Sequence, residues 1–216
     1  MFQKMWDVLN KNLKKLNKIQ TLFWDFDGVI MDSNTVRDRG FEAVLKDYPQ
    51  TEVEALMVFH RENGGLSRYV KFRYFFENIR GERITEEEIN IWASRFSKIM
   101  MQLLINPDLL IQEILNFIKA NTQKYTMHIV SGSDQTELRK ICKSLDIAKY
   151  FNSIHGSPSP KNNLVAGLLE EMSYSKSTCL LIGDSKNDFE AAQVNGIHFM
   201  GYGNEIIKTK TNFKLF

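Results

Sequence analysis

Four short stretches of this chain place side chains able to do chemistry directly after apolar runs. "TLFWDFDG" (residues 21–28) ends in Asp25 and Asp27, one residue apart, and then Gly28. Like charges so close resist losing water unless something compensates them. "IGDSKND" (182–188) repeats the device, with Asp184 just past the apolar run and Asp188 one helical turn later. "IVSGS" (129–133) offers the Ser131 hydroxyl and the amides of Gly132 and Ser133 ahead of a helix, an arrangement that receives anions. "SPSPK" (157–161) puts Lys161 at a helix start, where a cation opposes the helix dipole and is therefore expected to face something negative. If these stretches meet, four carboxylates converge, which is untenable without a cation. With no histidine or cysteine among the ligands, Mg2+ suits them best. Adding a hydroxyl, amides and a lysine describes a phosphate site.

The elements that must hold these residues follow from the apolar pattern. After the run ending at Trp24, four more read as buried strands: "YTMHIV" (125–130), "FNSIHG" (151–156), "STCLLIG" (177–183) and "IHFMGYG" (197–203). Helical patterns separate them, at 134–145, 160–172 and 188–194, the last stopping at "NG". Strands alternating with helices predict an α/β fold, a doubly wound and mostly parallel sheet, with ligands at the carboxyl ends of its strands. Residues 34–105 break the alternation and read as helix after helix. Thr85 and Glu88 form a capping box there, followed by Ile89, Trp92, Phe96, Ile99 and Leu103 on one predicted stripe. Gly64 and Gly65 break one helix and Ser67 caps the next. A helix is expected from "NPD", with Pro107 in its first turn. Residues 1–19 form a basic amphipathic pattern, Phe2, Met5, Trp6, Leu9, Leu13 and Leu16 sharing a face. This helix is expected to lie over the chain's own core.

In order and position, "DFDGV", "IVS", Lys161 after "SPSP" and "GDSKND" resemble the four motifs of the haloacid dehalogenase superfamily, in its branch of phosphoglycolate phosphatases and β-phosphoglucomutases. The likeness spans residues 20 to about 203. It implies a Rossmann-like core at 20–33 and 106–216, with an inserted α-helical cap domain at 34–105. It implies Asp25 as nucleophile, forming an aspartyl-phosphate, and Asp27 as acid and then base. Ser131 would hold a phosphoryl oxygen and Lys161 would neutralise charge. Mg2+ would be bound by Asp25, the Asp27 carbonyl and Asp184, with Asp188 orienting ligands. Gly28, Gly132, Arg68 and Lys71 join the phosphate- or substrate-binding set, because "GGLSR" (64–68) resembles the specificity loop of capped relatives. An acid two residues after the nucleophile favours a phosphate over a halogenated substrate.

The 216 residues, 43% hydrophobic and 25% charged, suffice for a sizeable core. Twenty-eight Lys and Arg against 26 Asp and Glu give no argument for nucleic acid. Cys142 and Cys179 read as buried thiols, which suits a cytoplasmic protein. No apolar run nears the roughly 18 residues of a membrane span. The expected function is a Mg2+-dependent phosphatase of a small metabolite, a sugar phosphate or phosphoglycolate-like acid, working as a monomer or weak dimer. The alternatives are a hexose phosphomutase and, from another class, a partner- or membrane-binding module with a vestigial pocket.

Overall fold

The computed structural model describes residues 18–211. The amphipathic helix expected over residues 1–19 lies, up to residue 17, outside the described residues. Five parallel strands form one sheet: β1 (Thr21–Trp24), β2 (Thr126–Asp134), β3 (Ser153–Ser157), β4 (Cys179–Gly183) and β5 (His198–Gly201). Their order is β3-β2-β1-β4-β5. The chain therefore leaves β1 in one direction and later returns to its other side, so β1 and β4 flank the crevice where such sheets bind ligands.

Strand periodicity explains the two layers of helices. Alternate side chains point to opposite faces. Leu22 and Trp24 of β1, Met127 and Ile129 of β2 and Leu180 and Ile182 of β4 share one cluster with α5 (Gln112–Asn121) and α6 (Gln135–Ser144). Phe23, Val130, Cys179 and Leu181 share the other with α7 (Lys161–Glu171) and α8 (Lys186–Asn195). The sheet is doubly wound, as the alternation predicts. Cys142 and Cys179 are free and buried. A short α9 (Glu205–Lys208) follows β5.

Between β1 and α5 stand α1 (Asn34–Val44), α2 (Gln50–Glu62), α3 (Arg68–Tyr74) and α4 (Glu86–Leu103). A π-helical turn, Phe75–Ile79, extends α3. Ser67 caps α3 by accepting from the Val70 amide, and Thr85 with Glu88 forms the capping box of α4. The buried row of α4 is Ile89, Ala93, Phe96 and Met100, whereas Trp92 and Ile99 are partly buried and Leu103 is 42% exposed. The expected stripe is thus rotated toward α1, where Phe41 packs 4.4 Å from Phe96 and 5.4 Å from Phe72. Aromatic contact, not the longest run of apolar spacing, sets the buried face. The "NPD" segment forms a 3₁₀ turn, Pro107–Leu109, before α5 begins at Gln112. No helix among the described residues is long and apolar enough to cross a membrane.

Candidate active site

Asp25 follows β1 and Asp184 follows β4, and these strands are neighbours in register, Trp24 opposite Ile182. Pairing therefore carries the two carboxylates to one edge. Asp188 joins them from the first turn of α8. Ser185 and Asp188 form that helix's capping box, so Asp188 Oδ2 accepts from the Ser185 amide at 3.0 Å and its hydroxyl at 2.6 Å. Ligand oxygens of Asp25, Asp184 and Asp188 all lie within 4.8 Å of one another. Lys161, the first residue of α7, reaches into this cluster and pairs with Asp25 at 2.8 Å and with Asp188. Both Lys161 and Asp25 are buried.

Three carboxylates against one ammonium leave a local surplus of two negative charges. Burial and the neighbouring Asp188 raise Asp25 well above the ordinary carboxylate range, against the pull of Lys161. Burial and Asp188 push Asp184 up to about 7. Burial would lower Lys161, but Asp188 and Asp25 more than reverse this and hold it charged. An all-oxygen donor set with two excess charges fits a hard divalent cation. Gly28 supports the fit. A Cβ there would lie 1.9 Å from Asp184 Oδ2, and its φ of +75° is one that side-chain-bearing residues rarely adopt. The turn after β1 thus lets backbone approach the carboxylates closely.

Asp27 faces elsewhere. Its carboxylate accepts from Arg37 Nε at 2.8 Å, from Ser133 Oγ at 2.5 Å and from the Ser33 hydroxyl. Burial alone would raise its pKa; Arg37, Ser133 and Ser33 outweigh that and hold it below the usual range. The fourth carboxylate expected at the convergence is therefore neutralised by an arginine, and three remain. Ser33 precedes α1 but makes no side-chain cap bond, its hydroxyl going to Asp27 instead. Arg37 lies one turn into α1, which is why it shares that side. Its Nη1 donates to Glu137 Oε1 at 2.8 Å. Glu137 sits in the first turn of α6, its amide held by the Asp134 N-cap. It also accepts from Arg68 Nη1 at 2.5 Å and Nη2 at 2.8 Å, while Arg68 Nη1 donates to Ser97 Oγ at 2.6 Å. A buried chain of charges thus runs Asp27, Arg37, Glu137, Arg68 between strand ends and helical insert.

β2 continues to Asp134, four residues beyond the expected strand, with a register shift after Val130. The Ser133 amide donates to Ser131 Oγ at 3.1 Å, so it is not free for an anion as the sequence suggests; Ser131 Oγ accepts here and keeps its own hydrogen as a donor. A Cβ on Gly132 would lie 2.0 Å from the Gly65 carbonyl oxygen, which also accepts from Asn187 Nδ2 at 2.9 Å. The "GGLSR" loop is therefore seated against the strand ends. Asp25, Asp27, Ser131, Gly132, Arg68 and Lys71 line one cleft of about 550 Å3. Arg68 lines it with its guanidinium engaged by Glu137 and Ser97. Ser33, Asn34, Arg37 and Glu137 escaped the sequence reading. Asn34 Nδ2 donates to Asp184 Oδ2 at 3.1 Å. The one sequence signal for them is that Ser33 and Arg37 stand one turn apart just after the acidic pair.

The family model described as haloacid dehalogenase-like hydrolase matches residues 22–202. The chain is 25% identical over 195 residues to the phosphorylated carbohydrates phosphatase of Thermotoga maritima, covering 83% of this chain and 82% of that one. It is 22% identical over 208 residues to the phosphoglycolate phosphatase of Colwellia psychrerythraea, covering 89% and 90%. Among solved structures, β-phosphoglucomutase from Clostridium difficile superposes with a TM-score of 0.69 at 18% identity, covering 92% of this chain and 91% of that one.

Proposed function

Because the chain belongs to the haloacid dehalogenase-like hydrolase family, we propose that it is a magnesium-dependent phosphatase of a small phosphorylated metabolite, acting through Asp25. The observation that carries this reading is the cluster of Asp25, Asp184 and Asp188 within 4.8 Å, with Lys161 on Asp25 and Asp188. Asp25 and Asp184 would hold the cation together with the Asp27 carbonyl. Asp188, whose oxygens already serve Lys161 and Ser185, would orient ligands from behind. The ion would supply charge stabilisation to the transferring phosphoryl group.

The chain's own residues then divide the work. A carboxylate oxygen of Asp25 attacks phosphorus as the bond to the leaving oxygen breaks, and Asp27 gives that oxygen its proton. Water next attacks the phosphorus of the aspartyl-phosphate, Asp27 takes its proton, and the bond to Asp25 breaks. Lys161 offsets charge on Asp25, and the Ser131 hydroxyl donates to a phosphoryl oxygen. In the conformation described, Asp27 rests on Arg37, which favours its ionised form. Donation of a proton to the leaving group therefore requires that this contact loosen when substrate arrives. The helices of residues 34–105 serve as the cap, excluding water and admitting only substrates small enough to fit beneath them.

Phosphoryl return to sugar, the mutase alternative, rests on the "GGLSR" loop and on structural likeness to a β-phosphoglucomutase, whereas the two sequence relatives described above carry phosphatase names. The intact acidic cluster speaks against a vestigial pocket. The test is phosphate release from a panel of small esters with and without Mg2+. Metal-dependent release that disappears in Asp25→Asn supports the reading; release surviving that substitution refutes the assignment of Asp25.

A further inference from the structure

Of the three clustered carboxylates, Asp184 is held differently from the other two. Asp25 and Asp188 both pair with Lys161, and Asp188 also accepts from Ser185. Asp184 makes no ion pair among the described residues, and among them its carboxylate accepts one hydrogen bond, from Asn34 Nδ2 to Oδ2 at 3.1 Å. The amide must turn its nitrogen that way, because its oxygen would meet another acceptor. Asp184 Oδ1 has no donor among those residues.

The Asn34 bond joins positions 150 residues apart and crosses bare backbone. A Cβ on Gly28 would lie 1.9 Å from Asp184 Oδ2 and 2.8 Å from Asn34 Nδ2, in the path of the bond. The root of Asn34 is fixed on both sides. Ser33 gives its hydroxyl to Asp27, and Arg37 holds Asp27 through Nε while its amide donates to the Ser33 carbonyl at 2.9 Å. The Asn34 side chain itself is exposed and lines the same cleft as Asp25 and Asp184.

A carboxylate can give a cation one oxygen or both. With a donor seated on Oδ2, binding through both oxygens of Asp184 would break the Asn34 bond, whereas binding through Oδ1 alone keeps it. Mg2+ is small and demands near-octahedral geometry with few protein carboxylates; Ca2+ takes about six to eight oxygens in flexible geometry and accepts both oxygens of one carboxylate. We infer that Asn34 is a positioning residue that makes Asp184 a one-oxygen ligand and thereby selects Mg2+ over Ca2+. The inference rests on the metal-dependent phosphatase reading and adds to it the residue that discriminates between cations.

The test uses the unmodified full chain, Asn34→Leu, which removes the donor at similar size, and Asn34→Gln, which keeps a donor on a longer arm. Each is melted across separate titrations with MgCl2 and CaCl2, without substrate, and the concentration giving half of the full shift is read for each ion. In the unmodified chain the Ca2+ half-point is expected roughly tenfold or more above the Mg2+ one. Asn34→Leu should lower that ratio roughly tenfold, the scale on which partners behind metal ligands act, and Asn34→Gln should restore most of it. Because Asn34 is exposed, the ion-free melting temperature should stay within about 2 °C; a merely structural role would move that temperature and leave the ratio alone. A ratio near one in the unmodified chain, a ratio unchanged by Asn34→Leu or lowered equally by Asn34→Gln, or one of the ions shifting none of the three proteins would overturn the inference. Mg2+-dependent phosphate release from p-nitrophenyl phosphate by the unmodified chain reports on the phosphatase reading separately.

Discussion

Glu137 joins the helical insert to the strand ends, and Glu137→Gln tests that link. The carboxylate has 1% of its side chain exposed and takes three hydrogen bonds from Arg37 and Arg68, whose side chains are 8% and 3% exposed. Removing its charge leaves two buried guanidinium groups with Asp27 as the one remaining carboxylate bonded to either of them among the described residues. Deleting one partner of a buried ion pair costs about 3–5 kcal/mol, and solvent is too distant here to soften it. In a chain of this size ~1 kcal/mol moves the melting temperature by about 2–4 °C, so a fall of roughly 6–20 °C is expected in calorimetry at neutral pH. Burial would raise the pKa of Glu137, but Arg37 and Arg68 hold it below its ordinary 4.5 in the folded state. Its contribution is therefore complete above that ordinary value and disappears as pH falls through the lowered one. The gap between the two proteins should be constant near neutrality and close in acid. A variant melting within about 2 °C of the parent at neutral pH would refute the reasoning, because it would mean that the buried charges are paired in some other way.

Mg2+ should raise the melting temperature, more at pH 8 than at pH 5, since carboxylates must shed protons to hold it; Asp184→Asn should abolish the shift, and a shift indifferent to that substitution would remove Asp184 from the site. Lys161→Met leaves Asp25 and Asp188 unshielded, so turnover should fall by roughly 10²–10³, the cost of losing one preorganised charge-stabilising group; wild-type turnover would exclude Lys161 from the chemistry. Arg37→Gln frees Asp27 from the cation that lowers its pKa, so the basic limb of the kcat/KM profile, which reports the protonated Asp27 that donates to the leaving oxygen, should move to higher pH, with the profile measured on one ester across pH 4 to 9; an unmoved limb would show that another group titrates there.

The sheet was legible because β1, β2 and β4 are buried on both faces and read as continuous apolar runs whatever their partners. The gathering of Asp25, Lys161, Asp184 and Asp188 could be read for the same reason: strand ends of a parallel sheet and the helix starts that follow them share an edge, and polar residues there stand out against what precedes them. The resting place of the Asp27 side chain could not be read that way. It depends on Arg37 and Glu137, 100 residues apart in sequence, each an ordinary charged residue in the first turns of an amphipathic helix. Only the fold makes them neighbours, by bringing the start of α1 and the start of α6 to the same strand ends. Arg68 shows the converse: its local pattern points at the cleft, and a distant glutamate decides where its guanidinium goes. The rotation of α4 has the same origin, since it turns Phe96 and Met100 toward α1, where Phe96 meets Phe41 and Met100 lies against Gly40.

On the proposed mechanism Asp25 carries the phosphoryl group between the two steps. The most direct measurement is acid quenching of the enzyme during turnover with Mg2+ and 2-phosphoglycolate, or whichever ester is hydrolysed fastest, followed by borohydride reduction and peptide mass spectrometry. Conversion of Asp25, and of no other aspartate, to homoserine is predicted, and only when ester and metal are both present. Rapid hydrolysis with Asp25 unmodified, or modification of a different residue, would contradict the account.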